Sequence, residues 1–441
     1  MRSLMDTALE SNKYLKFNFD GGDLSSDGGL LLLKEFMHKM GIAQVIGKHF
    51  HTNDTAAYRL HTDDKNLLQV IYQVIAAYFE DDCADELTND PVFKAALEKD
   101  ALASQPTMSR FHNRMDGDTL SQFDGITREL RRRVYSCEMP KMVLFDLDST
   151  LLETYGKQEG EGFNFHYQAH GYHPLLCYDG LTGDLLKTQL RRGTDYCCNG
   201  ARDFMQPLLD EYLSEYPDIA MFLRGDSGFA SPELYEQCET NGTSYAIRLK
   251  ENAALRRLAE DLAGELAEIT KDNIVDYAVV YGEFYYKAVK WNQDRRVVCK
   301  IEKPQGQMVY MNTFIVTNME SEPEWLVKYY CKRGSMENFI KEGKNGFDFA
   351  AVSSHSETVN ANRLQLRALA YNIFNWFKRL ALPENLRRCL IDTIRIKLMK
   401  IAVRVVRAAR YLYFKLCSSC PYKDEFYKTF ENIRRLRPQL E

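Results

Sequence analysis

The chain has 441 residues, of which 45% are hydrophobic and 27% are charged, and its net charge is −5. This composition excludes disordered and fibrous proteins, and the length fits several domains of about 100 to 200 residues each. The longest apolar run near the start, residues 29–33, is far shorter than the roughly 20 residues that cross a bilayer, so we expect neither a membrane segment nor a signal peptide.

Residues 1–135 form a predicted helical N-terminal module. Apolar residues recur at intervals of three and four in residues 30–37 and 67–78, which predicts amphipathic helices. Ser104 and Pro106 are typical of a helix cap and first turn, and Arg110, on the same helix, could contact DNA. An exposed helix of a bundle explains the same pattern, so both interpretations stay open.

Residues 136–265 form the first part of a predicted α/β core. The continuous apolar run at residues 142–145 indicates a strand that is buried on both faces. Residues 173–178 and 185–190 flank a turn with two glycines, which predicts a hairpin. Helices and strands then alternate, with helices expected at residues 200–215 and 232–240 and strands at residues 219–223 and 244–249.

Residues 266–320 form a predicted β-rich insertion. From about residue 274 to 317 they contain dense runs of β-branched and aromatic residues and no stretch with a helical period. After Pro323 the pattern is helical again, over residues 325–341, 360–380 and 386–416. We therefore expect a second piece of the core at residues 321–380 and a helical C-terminal region at residues 381–441.

The positive charge of the chain is concentrated in this C-terminal region. Residues 361–441 contain 18 Lys and Arg against 6 Asp and Glu, a balance of +12, so the first 360 residues carry −17. Such a region often contacts DNA because neutralised phosphates release counterions, although a solvated helical face has the same composition. The basic residues recur closely enough to form a cationic stripe on one long helix, at Arg395, Lys397, Lys400, Arg404, Arg407 and Arg410.

Acidic side chains end two of the predicted strands. Asp146 and Asp148 end the first strand, and alternation along a strand sends both to the same side. Asp226 stands where a later strand breaks into a loop with Gly225 and Gly228, at the edge of an α/β sheet that usually faces the ligand. An aspartate after a strand is more often a cap or turn residue, so neither position is specific alone.

The next predicted helix supplies a more specific pattern. Tyr330, Arg333, Glu337 and Lys344 have offsets of 0, 3, 7 and 14, which place them within an arc of roughly 60° on one helix. Glu337 could bind a metal while Arg333 forks onto a phosphate. Lys344 could neutralise another phosphate, and Tyr330 could hydrogen-bond or stack. An exposed face with salt bridges would show the same spacing, and Gly343 could end the helix before Lys344.

Asp148, Asp226 and Glu337 together fit the chemistry of phosphodiester cleavage. Two divalent cations can activate the attacking oxygen and stabilise the leaving oxygen of such a reaction. Carboxylates from separate elements are suitable ligands for these cations. The sequence thus predicts a site for two Mg²⁺ ions, with Mn²⁺ as a possible substitute.

The 11 scattered cysteines include no complete zinc pattern, which indicates reduced thiols in a cytoplasm.

The spacing Tyr-x2-Arg-x3-Glu-x6-Lys at residues 330–344 resembles the signature of the DDE transposases of bacterial insertion sequences, in the superfamily grouped around insertion sequence 4. Further stretches are similar to the insertion-sequence-1380 family, and the resemblance covers nearly the whole chain. These stretches are Phe19-Asp20-Gly21-Gly22, Ser25-Ser26-Asp27-Gly28-Gly29, Ala103-Ser104-Gln105-Pro106-Thr107, Gly171-Tyr172-His173-Pro174-Leu175 and Arg224-Gly225-Asp226-Ser227-Gly228-Phe229.

The resemblance implies an α/β fold with a ribonuclease H-like catalytic core, a β-rich insertion, and helical N-terminal and C-terminal modules. It also implies that Asp148, Asp226 and Glu337 are the catalytic and metal-binding residues, because the first aspartate of the family precedes a Ser/Thr pair. Asp146 is then a neighbour of undefined role. The implied reaction is cut-and-paste transposition through a DNA hairpin, with Trp291 of the insertion as the candidate acceptor of a flipped base.

The implied partner is double-stranded DNA, as terminal inverted repeats and as target. Because two ends must be held together, we expect a homodimer in the DNA complex, in a bacterial cytoplasm and associated with the nucleoid. The residues expected to contact DNA are Arg110, Trp291, Tyr330, Arg333, Lys341, Lys344 and Arg404. Two alternatives stay open: a metal-dependent nuclease without strand transfer, and a catalytically inactive DNA-binding protein derived from a transposase.

Overall fold

The computed structural model describes residues 6–56, 58–271 and 275–440. The chain divides into two compact units, the first made of residues 1–138, 342–349 and 362–441 and the second of residues 139–341 and 350–361. Some positions of the sequence-based predictions lie outside the described residues, namely residues 1–5, 57, 272–274 and 441. No helix among the described residues is both long and apolar enough to cross a membrane.

The N-terminal part of the first unit is mainly helical. Three short strands come first, and β1 pairs with β2: β1 (Thr7–Ala8), β2 (Lys16–Phe17) and β3 (Leu24–Ser25). The helices that follow are α1 (Leu30–Lys39), α2 (Ile42–His49), α3 (Asp63–Ile75), α4 (Cys83–Glu86), α5 (Pro91–Leu97), α6 (Gln105–Asn113) and α7 (Gly117–Cys137). Apolar residues of α1 and α3, such as Leu33 and Ile71, are fully buried, as their helical spacing requires.

The Ser-Ser-Asp-Gly-Gly stretch before α1 packs closely against the C-terminal part of the same unit. A Cβ atom on Gly29 would lie 1.7 Å from the carbonyl oxygen of Leu398, so only glycine fits there. The carboxylate of Asp27 is fully buried and accepts hydrogen bonds from Lys400 Nζ at 2.7 Å and from the Tyr78 hydroxyl at 2.9 Å. This stretch, which carries part of the family resemblance, therefore has a structural role.

The second unit is built around a large mixed sheet. Its strands are β4 (Met142–Ser149), β5 (Leu152–Glu153), β6 (Gly162–Asn164), β7 (Ala169–Tyr172), β8 (Leu175–Asp179), β9 (Leu185–Gln189), β10 (Ala220–Gly225), β11 (Ser244–Leu249), β12 (Ala278–Tyr286), β13 (Arg295–Lys303) and β14 (Met311–Thr317). The order across the large sheet is β12-β13-β14-β11-β10-β4-β8-β9, and β5, β7 and β6 form a separate small sheet. The three central strands β4, β10 and β11 are parallel, and the other neighbours are antiparallel.

Helices connect these strands and follow the insertion: α8 (Ala201–Glu215), α9 (Pro232–Thr240), α10 (Ala253–Leu258), α11 (Glu260–Ile269), α12 (Pro323–Cys331) and α13 (Gly334–Phe347). The β-rich insertion does not fold as a separate layer. Its strands β12, β13 and β14 extend the large sheet beyond β11, with β14 antiparallel to β11. The mixed α/β class expected from the sequence is confirmed.

The helix expected over residues 325–341 is interrupted, which corrects the prediction of one continuous face. α12 ends at Cys331 and α13 begins at Gly334, so Arg333 lies in the turn between them. Tyr330 and Glu337 therefore belong to different helices. Gly343 does not end α13. A Cβ atom there would lie 2.5 Å from the ring of Phe349, which indicates that this glycine serves close packing.

The C-terminal region is not the single long helix that we expected over residues 386–416. After α14 (Glu357–Ala381), α15 (Glu384–Arg387), α16 (Ile391–Ile394) and a π-helical turn, it forms the hairpin β15 (Val403–Ala408) and β16 (Tyr411–Leu416), followed by α17 (Lys423–Arg435). β15 also pairs with β3. The cause is a period of two, since Val403 and Val405 are buried while Arg404 is exposed.

The cationic stripe expected in this region does not exist. Arg395 is only 4% exposed, and its guanidinium donates hydrogen bonds to the carbonyl oxygens of Val74, Ile75 and Gly346. Lys400 is paired with a buried aspartate. These two cations stabilise the first unit through contacts within the protein. The exposed residues of the expected stripe, Arg404, Arg407 and Arg410, lie on the hairpin instead.

Candidate active site

The central strands bring two aspartates to one edge of the large sheet. β4 and β10 are parallel neighbours, and their register pairs Leu147 with Gly225. The residues that follow in each strand are Asp148 and Asp226, so the register sets these carboxylates side by side. This is the edge at which the carboxyl ends of parallel strands present ligand-binding side chains.

Asp146, whose role the sequence left undefined, forms a buried ion pair. Its two carboxylate oxygens accept hydrogen bonds from Nε and Nη2 of Arg224, at 2.7 and 2.6 Å. Both residues are almost completely buried, and Arg224 also donates to the carbonyl oxygen of Tyr329 and lies over its ring. Both oxygens of Asp146 are thus engaged by protein, which makes it a structural residue that joins β4 to β10 and α12.

Asp226 is held at the start of a short 3₁₀ turn, Ser227–Phe229. Its Oδ1 accepts a hydrogen bond from the backbone N–H of Gly228 at 2.8 Å. A Cβ atom on Gly228 would lie 2.8 Å from the Cβ atom of Cys197, so the glycine is required by close packing. Among the described residues, the second carboxylate oxygen of Asp226 accepts no hydrogen bond.

Asp148 lies in a strongly charged environment. Its Oδ1 accepts a hydrogen bond from the backbone N–H of Ser149, and its Oδ2 lies 3.0 Å from Nη2 of Arg333. Burial, together with the negative charges of Asp226 and Glu337 and against the opposing effect of Arg333, raises the pKa of Asp148 to about 6. The three acids predicted from the sequence therefore interact electrostatically in one place.

The α12–α13 segment is attached to the ends of both central strands. Nη2 of Arg333 donates a hydrogen bond to the carbonyl oxygen of Leu147 at 3.0 Å, and the Tyr330 hydroxyl donates to that of Gly225 at 3.3 Å. Arg333 is mostly buried and Tyr330 is buried. These contacts place the first turn of α13, with the exposed Glu337, beside the two aspartates.

A cleft of about 460 Å³ opens beside Asp148 and Asp226. Its wall is rich in aromatic and imidazole side chains: Phe163, Phe165, His166, Tyr167, His173 and Tyr196. The Tyr167 hydroxyl donates to the carbonyl oxygen of Ser149 at 3.3 Å, and burial followed by the charge of Asp148 raises its pKa to about 12. This wall could not be predicted from the sequence, because β5 to β7 are too short to show a period.

The carboxylates have the donor chemistry that Mg²⁺ requires. Asp148 and Asp226 supply hard oxygen ligands, and the raised pKa of Asp148 shows that its negative charge lacks full compensation by the protein. Among the described residues, no group of three or more His, Cys, Asp or Glu side chains is already arranged to hold a metal ion. Mg²⁺ is commonly bound by one or two carboxylates together with substrate phosphates, so the residues present fit such an ion.

The other predicted DNA contacts are placed as follows. Arg110 on α6 and Arg404 on β15 are exposed in the first unit. Lys341 on α13 is exposed, and Lys344 on the same helix is half-buried. None of these positions lies in the aromatic-walled cleft.

The structure does not support Trp291 as an open platform for a flipped base. Its ring is only 8% exposed and makes edge contacts with Tyr235 and Tyr286, with ring centroids 5.4 and 5.3 Å apart. The guanidinium of Arg295 lies over the ring at 5.5 Å. Trp291 thus belongs to the packed interior of the insertion, which its aromatic character alone could not reveal.

A comparison with known protein families gives a match over nearly the whole chain. The family described as "Transposase DDE domain group 1" matches residues 7–438. No curated protein matches the chain. Among solved structures, a cryo-EM structure of a piggyBac transposase synaptic complex with hairpin DNA is similar with a TM-score of 0.39 and 12% identity, over 84% of this chain and 80% of that chain. Because the family match spans nearly the whole sequence, the chain belongs to the DDE transposase family and is an enzyme of that type.

Proposed function

We propose that this transposase cuts the ends of an insertion sequence and joins them to target DNA, with Asp148, Asp226 and Glu337 as its catalytic residues. The observation that carries the proposal is the parallel register of β4 and β10, which sets Asp148 beside Asp226. The charge of Glu337 acts on Asp148 at the same place. The three acids thus come from three separate elements, and two of them, Asp148 and Asp226, line the cleft.

The proposed metal ligands are these three carboxylates, with Mg²⁺ as the ion and Mn²⁺ as a substitute. Two bound ions would supply activation of the attacking oxygen and stabilisation of the leaving oxygen. Arg333 holds the oxygen of Asp148 in place, and Tyr330 holds the end of β10 through the Gly225 carbonyl. We assign Tyr330 a positioning role for this reason, rather than a contact with DNA.

The proposed reaction has four steps. Water attacks a phosphorus atom at the end of the element, and the bond between phosphorus and the 3′ oxygen breaks. The released 3′-hydroxyl attacks the opposite strand, so a new phosphodiester bond closes a hairpin and a second 3′ oxygen leaves. Water then hydrolyses the hairpin and frees the 3′-hydroxyl again. In the last step this hydroxyl attacks a phosphorus atom of target DNA, and the 3′ oxygen of the target strand leaves. The aromatic wall beside Asp148 and Asp226 offers surfaces on which an unpaired base of this strand could stack.

The sheet topology supports a ribonuclease H-like core. β4, β8 and β9 form an antiparallel set on one side, and β10 and β11 continue the sheet in parallel with β4 on the other. We further propose that the enzyme belongs to the insertion-sequence-1380 family within the insertion-sequence-4-like superfamily, which the motifs of the sequence favour. Its working form would then be a bacterial, nucleoid-associated homodimer that holds two terminal inverted repeats.

The proposed contacts with duplex DNA are cationic side chains at or near the surface: Arg110, Arg333, Lys341, Lys344 and Arg404. Arg110, Lys341 and Arg404 are exposed, so they can reach phosphates without a rearrangement. Arg333 lies beside the proposed catalytic carboxylate of Asp148, where the phosphate that it can contact is the one that reacts. This arrangement separates general DNA binding from the chemical step.

The test is an assay on a labelled DNA fragment that carries the end of the element encoding this chain, with purified protein and Mg²⁺. We expect Asp148→Asn, Asp226→Asn and Glu337→Gln each to abolish cleavage and to retain binding of the fragment. Glu265→Gln is the matched control, because Glu265 is an exposed acid on α11 away from the site. A triad variant that cuts at the wild-type rate would remove that residue from the catalytic set.

A strand-transfer assay with a supercoiled target separates the proposed function from its rivals. Joined products that require Mg²⁺ support the transposase reaction. Cleavage without joining would identify a nuclease instead. Binding without either reaction would identify an inactive, DNA-binding descendant.

A further inference from the structure

The hairpin of β15 and β16 carries an exposed face made of cations and tyrosines. The antiparallel register places six side chains on this face, which we call the ribbon face: Arg404, Val406, Ala408, Tyr411, Tyr413 and Lys415. Arg404 and Lys415 are exposed, and Tyr411 and Tyr413 are 53% and 49% exposed. Both tyrosines thus keep about half of their surface open to solvent.

The two cations of the ribbon face stand directly opposite one another. The register pairs Arg404 with Lys415, and like charges in opposed positions destabilise an antiparallel pair. Within the part of the chain that the structure describes, no ion pair with an acidic side chain is formed by Arg404 or Lys415. The repulsion between these two cations is therefore relieved only when an anionic partner binds.

The tip of the hairpin extends the same character. Arg410 in the turn donates a hydrogen bond to the Tyr411 hydroxyl at 3.1 Å and stacks on its ring at 5.2 Å. The rings of Tyr411 and Tyr413 are neighbours, with centroids 6.2 Å apart. A cation and two phenols thus form one continuous surface at the end of the hairpin.

The hairpin is anchored at its base and accessible at its tip. Val403 and Val405, on the face opposite the ribbon face, are 1% and 7% exposed, so the base is packed into the first unit. Near the tip this opposite face is also open, because Arg407 is exposed and Leu412 is 40% exposed. The tip can therefore be approached from both sides.

We propose that this hairpin docks in the major groove of duplex DNA. Its base, at Val403 and Arg404, also pairs with β3, and beyond this point it is a two-stranded ribbon. Two paired strands lie about 4.8 Å apart, and the major groove, about 12 Å wide, admits such a ribbon. Arg404 and Lys415 would contact phosphates at the groove edges, and the hydroxyls of Tyr411 and Tyr413 would face base edges or phosphates. The proposal rests on the proposed function, since it names the DNA surface of the same enzyme.

Duplex DNA fits these residues better than other anionic partners. Residues 361–441, which contain the hairpin, carry a balance of +12, and counterion release from a duplex rewards such a density of cations. The tyrosines present hydroxyls as well as ring faces, and hydroxyls can hydrogen-bond to groove edges. A stacking platform for a single strand would need only the ring faces.

The experiment measures binding alone, with a fluorescent duplex of random sequence, about three helical turns long, and a single strand of the same length. Fluorescence anisotropy is recorded over a salt series in a chelating buffer, on an Asp148→Asn background that cannot cleave. The test variants are Arg404→Ala with Lys415→Ala, and Tyr411→Phe with Tyr413→Phe. The control is Lys428→Ala with Arg434→Ala, which removes two exposed cations of α17 in the same unit.

We expect the Arg404 and Lys415 double variant to bind the duplex more weakly and to lower the salt slope by roughly 1.8, since each lost phosphate contact accounts for about 0.9. The tyrosine double variant should weaken duplex binding with little change in slope. The thermal midpoint of the cationic variant should not fall, because an unfavourable like-charge pair is removed.

Several outcomes would overturn the proposal. The first is an affinity for the duplex and a salt slope that do not change in the test variants. The second is an equal loss of affinity in the α17 control, and the third is a larger loss of affinity for the single strand than for the duplex. The fourth is a lower thermal midpoint of the Arg404 and Lys415 double variant. The outcome is independent of the cleavage assay because no catalytic step is measured. Failure of the wild-type enzyme to cleave in the end-cutting assay would refute the proposed function and leave the binding result intact.

Discussion

Substituting Asp146 by Asn should destabilise the protein far more than the same change at Asp148, although the two aspartates are two residues apart. Asp146 is fully buried, and both of its oxygens accept hydrogen bonds from Arg224, which is 1% exposed. Removing one partner of a buried pair leaves the other charge uncompensated, which costs about 3–5 kcal/mol. We expect a loss of this size in the free energy of unfolding of Asp146→Asn.

Burial raises the pKa of both aspartates, but Asp148 should respond in the opposite direction because its ion pair with Arg333 is less buried than that of Asp146 with Arg224. Burial, with the charges of Asp226 and Glu337, raises its pKa from 3.8 to about 6, so the folded protein disfavours the ionised carboxylate. At about 1.4 kcal/mol for each pKa unit, the ionised form costs up to roughly 3 kcal/mol above pH 6 and nothing below pH 3.8. Asp148→Asn removes this cost, and it should leave the protein as stable as wild type or more stable at neutral pH.

The assay is denaturant unfolding at pH 7 and at pH 4, in a chelating buffer without DNA. The difference between Asp148→Asn and wild type should shrink at pH 4, where wild-type Asp148 is largely protonated. Adding Arg224→Gln to Asp146→Asn should recover part of the loss, because the unpaired charge is removed. Equal losses at Asp146 and Asp148 would refute the reasoning, and they would also weaken the assignment of Asp148 as the first catalytic aspartate.

Two further predictions concern buried side chains outside the catalytic acids. Burial and the charge of Arg363 lower the pKa of His112 to about 3 despite the attraction of Asp81. Between about pH 3 and pH 6.5, His112 is therefore protonated in the unfolded chain and neutral in the folded chain. The free energy of unfolding should therefore fall by about 1.4 kcal/mol for each pH unit below 6.5, and an unchanged slope in His112→Gln would contradict this. Trp291→Ala should lower the free energy of unfolding by about 3–5 kcal/mol, and Trp291→Phe should lower it by less. An Ala variant as stable as wild type would show that the ring is not part of the packed interior.

The sequence predicted that Asp148 and Asp226 lie at the ends of strands, because local patterns specify these positions. A continuous apolar run followed by Asp148, and a strand broken by glycine at Asp226, are signals that do not depend on distant contacts. The assignment to the DDE transposases is confirmed by the family match over residues 7–438. The roles of the individual catalytic residues and the domain boundaries stay predictions.

The role of Asp146 could not be predicted, because it depends on a residue far away in the sequence. Alternation sends Asp146 and Asp148 to the same side of β4, and this pattern treats them alike. What separates them is Arg224 on the neighbouring strand, which the register places beside Asp146. Until the strand pairing is known, the sequence does not show which of the two aspartates is already paired with an arginine.

The C-terminal hairpin was mistaken for a helix because two periods overlap there. Arg404, Arg407 and Arg410 recur at intervals of three, which is typical of a helical face. The apolar residues instead alternate, with Val403 and Val405 buried on one side of β15. Burial selects the structure, so the period of the apolar residues decides it and the period of the charges does not.

Arg333→Lys should reduce hairpin formation more than nicking. Nη2 of Arg333 already makes both protein contacts, with the Leu147 carbonyl and the Asp148 carboxylate, at 3.0 Å each. An ammonium can replace these contacts as a point charge, so Asp148 stays in place and the first cut proceeds. The Nε atom of Arg333, by contrast, is buried without a hydrogen-bond partner in the protein.

A guanidinium can therefore present a second donor to a phosphate once DNA is bound, and an ammonium cannot. Hairpin formation requires the freed 3′-hydroxyl to align with the opposite phosphate, whereas nicking needs only a water molecule. Nicked ends with few hairpins should accumulate with Arg333→Lys on a labelled end fragment, at Mg²⁺ concentrations that saturate wild type. Equal losses of both steps, restored by more Mg²⁺, would show that Arg333 acts only by holding Asp148.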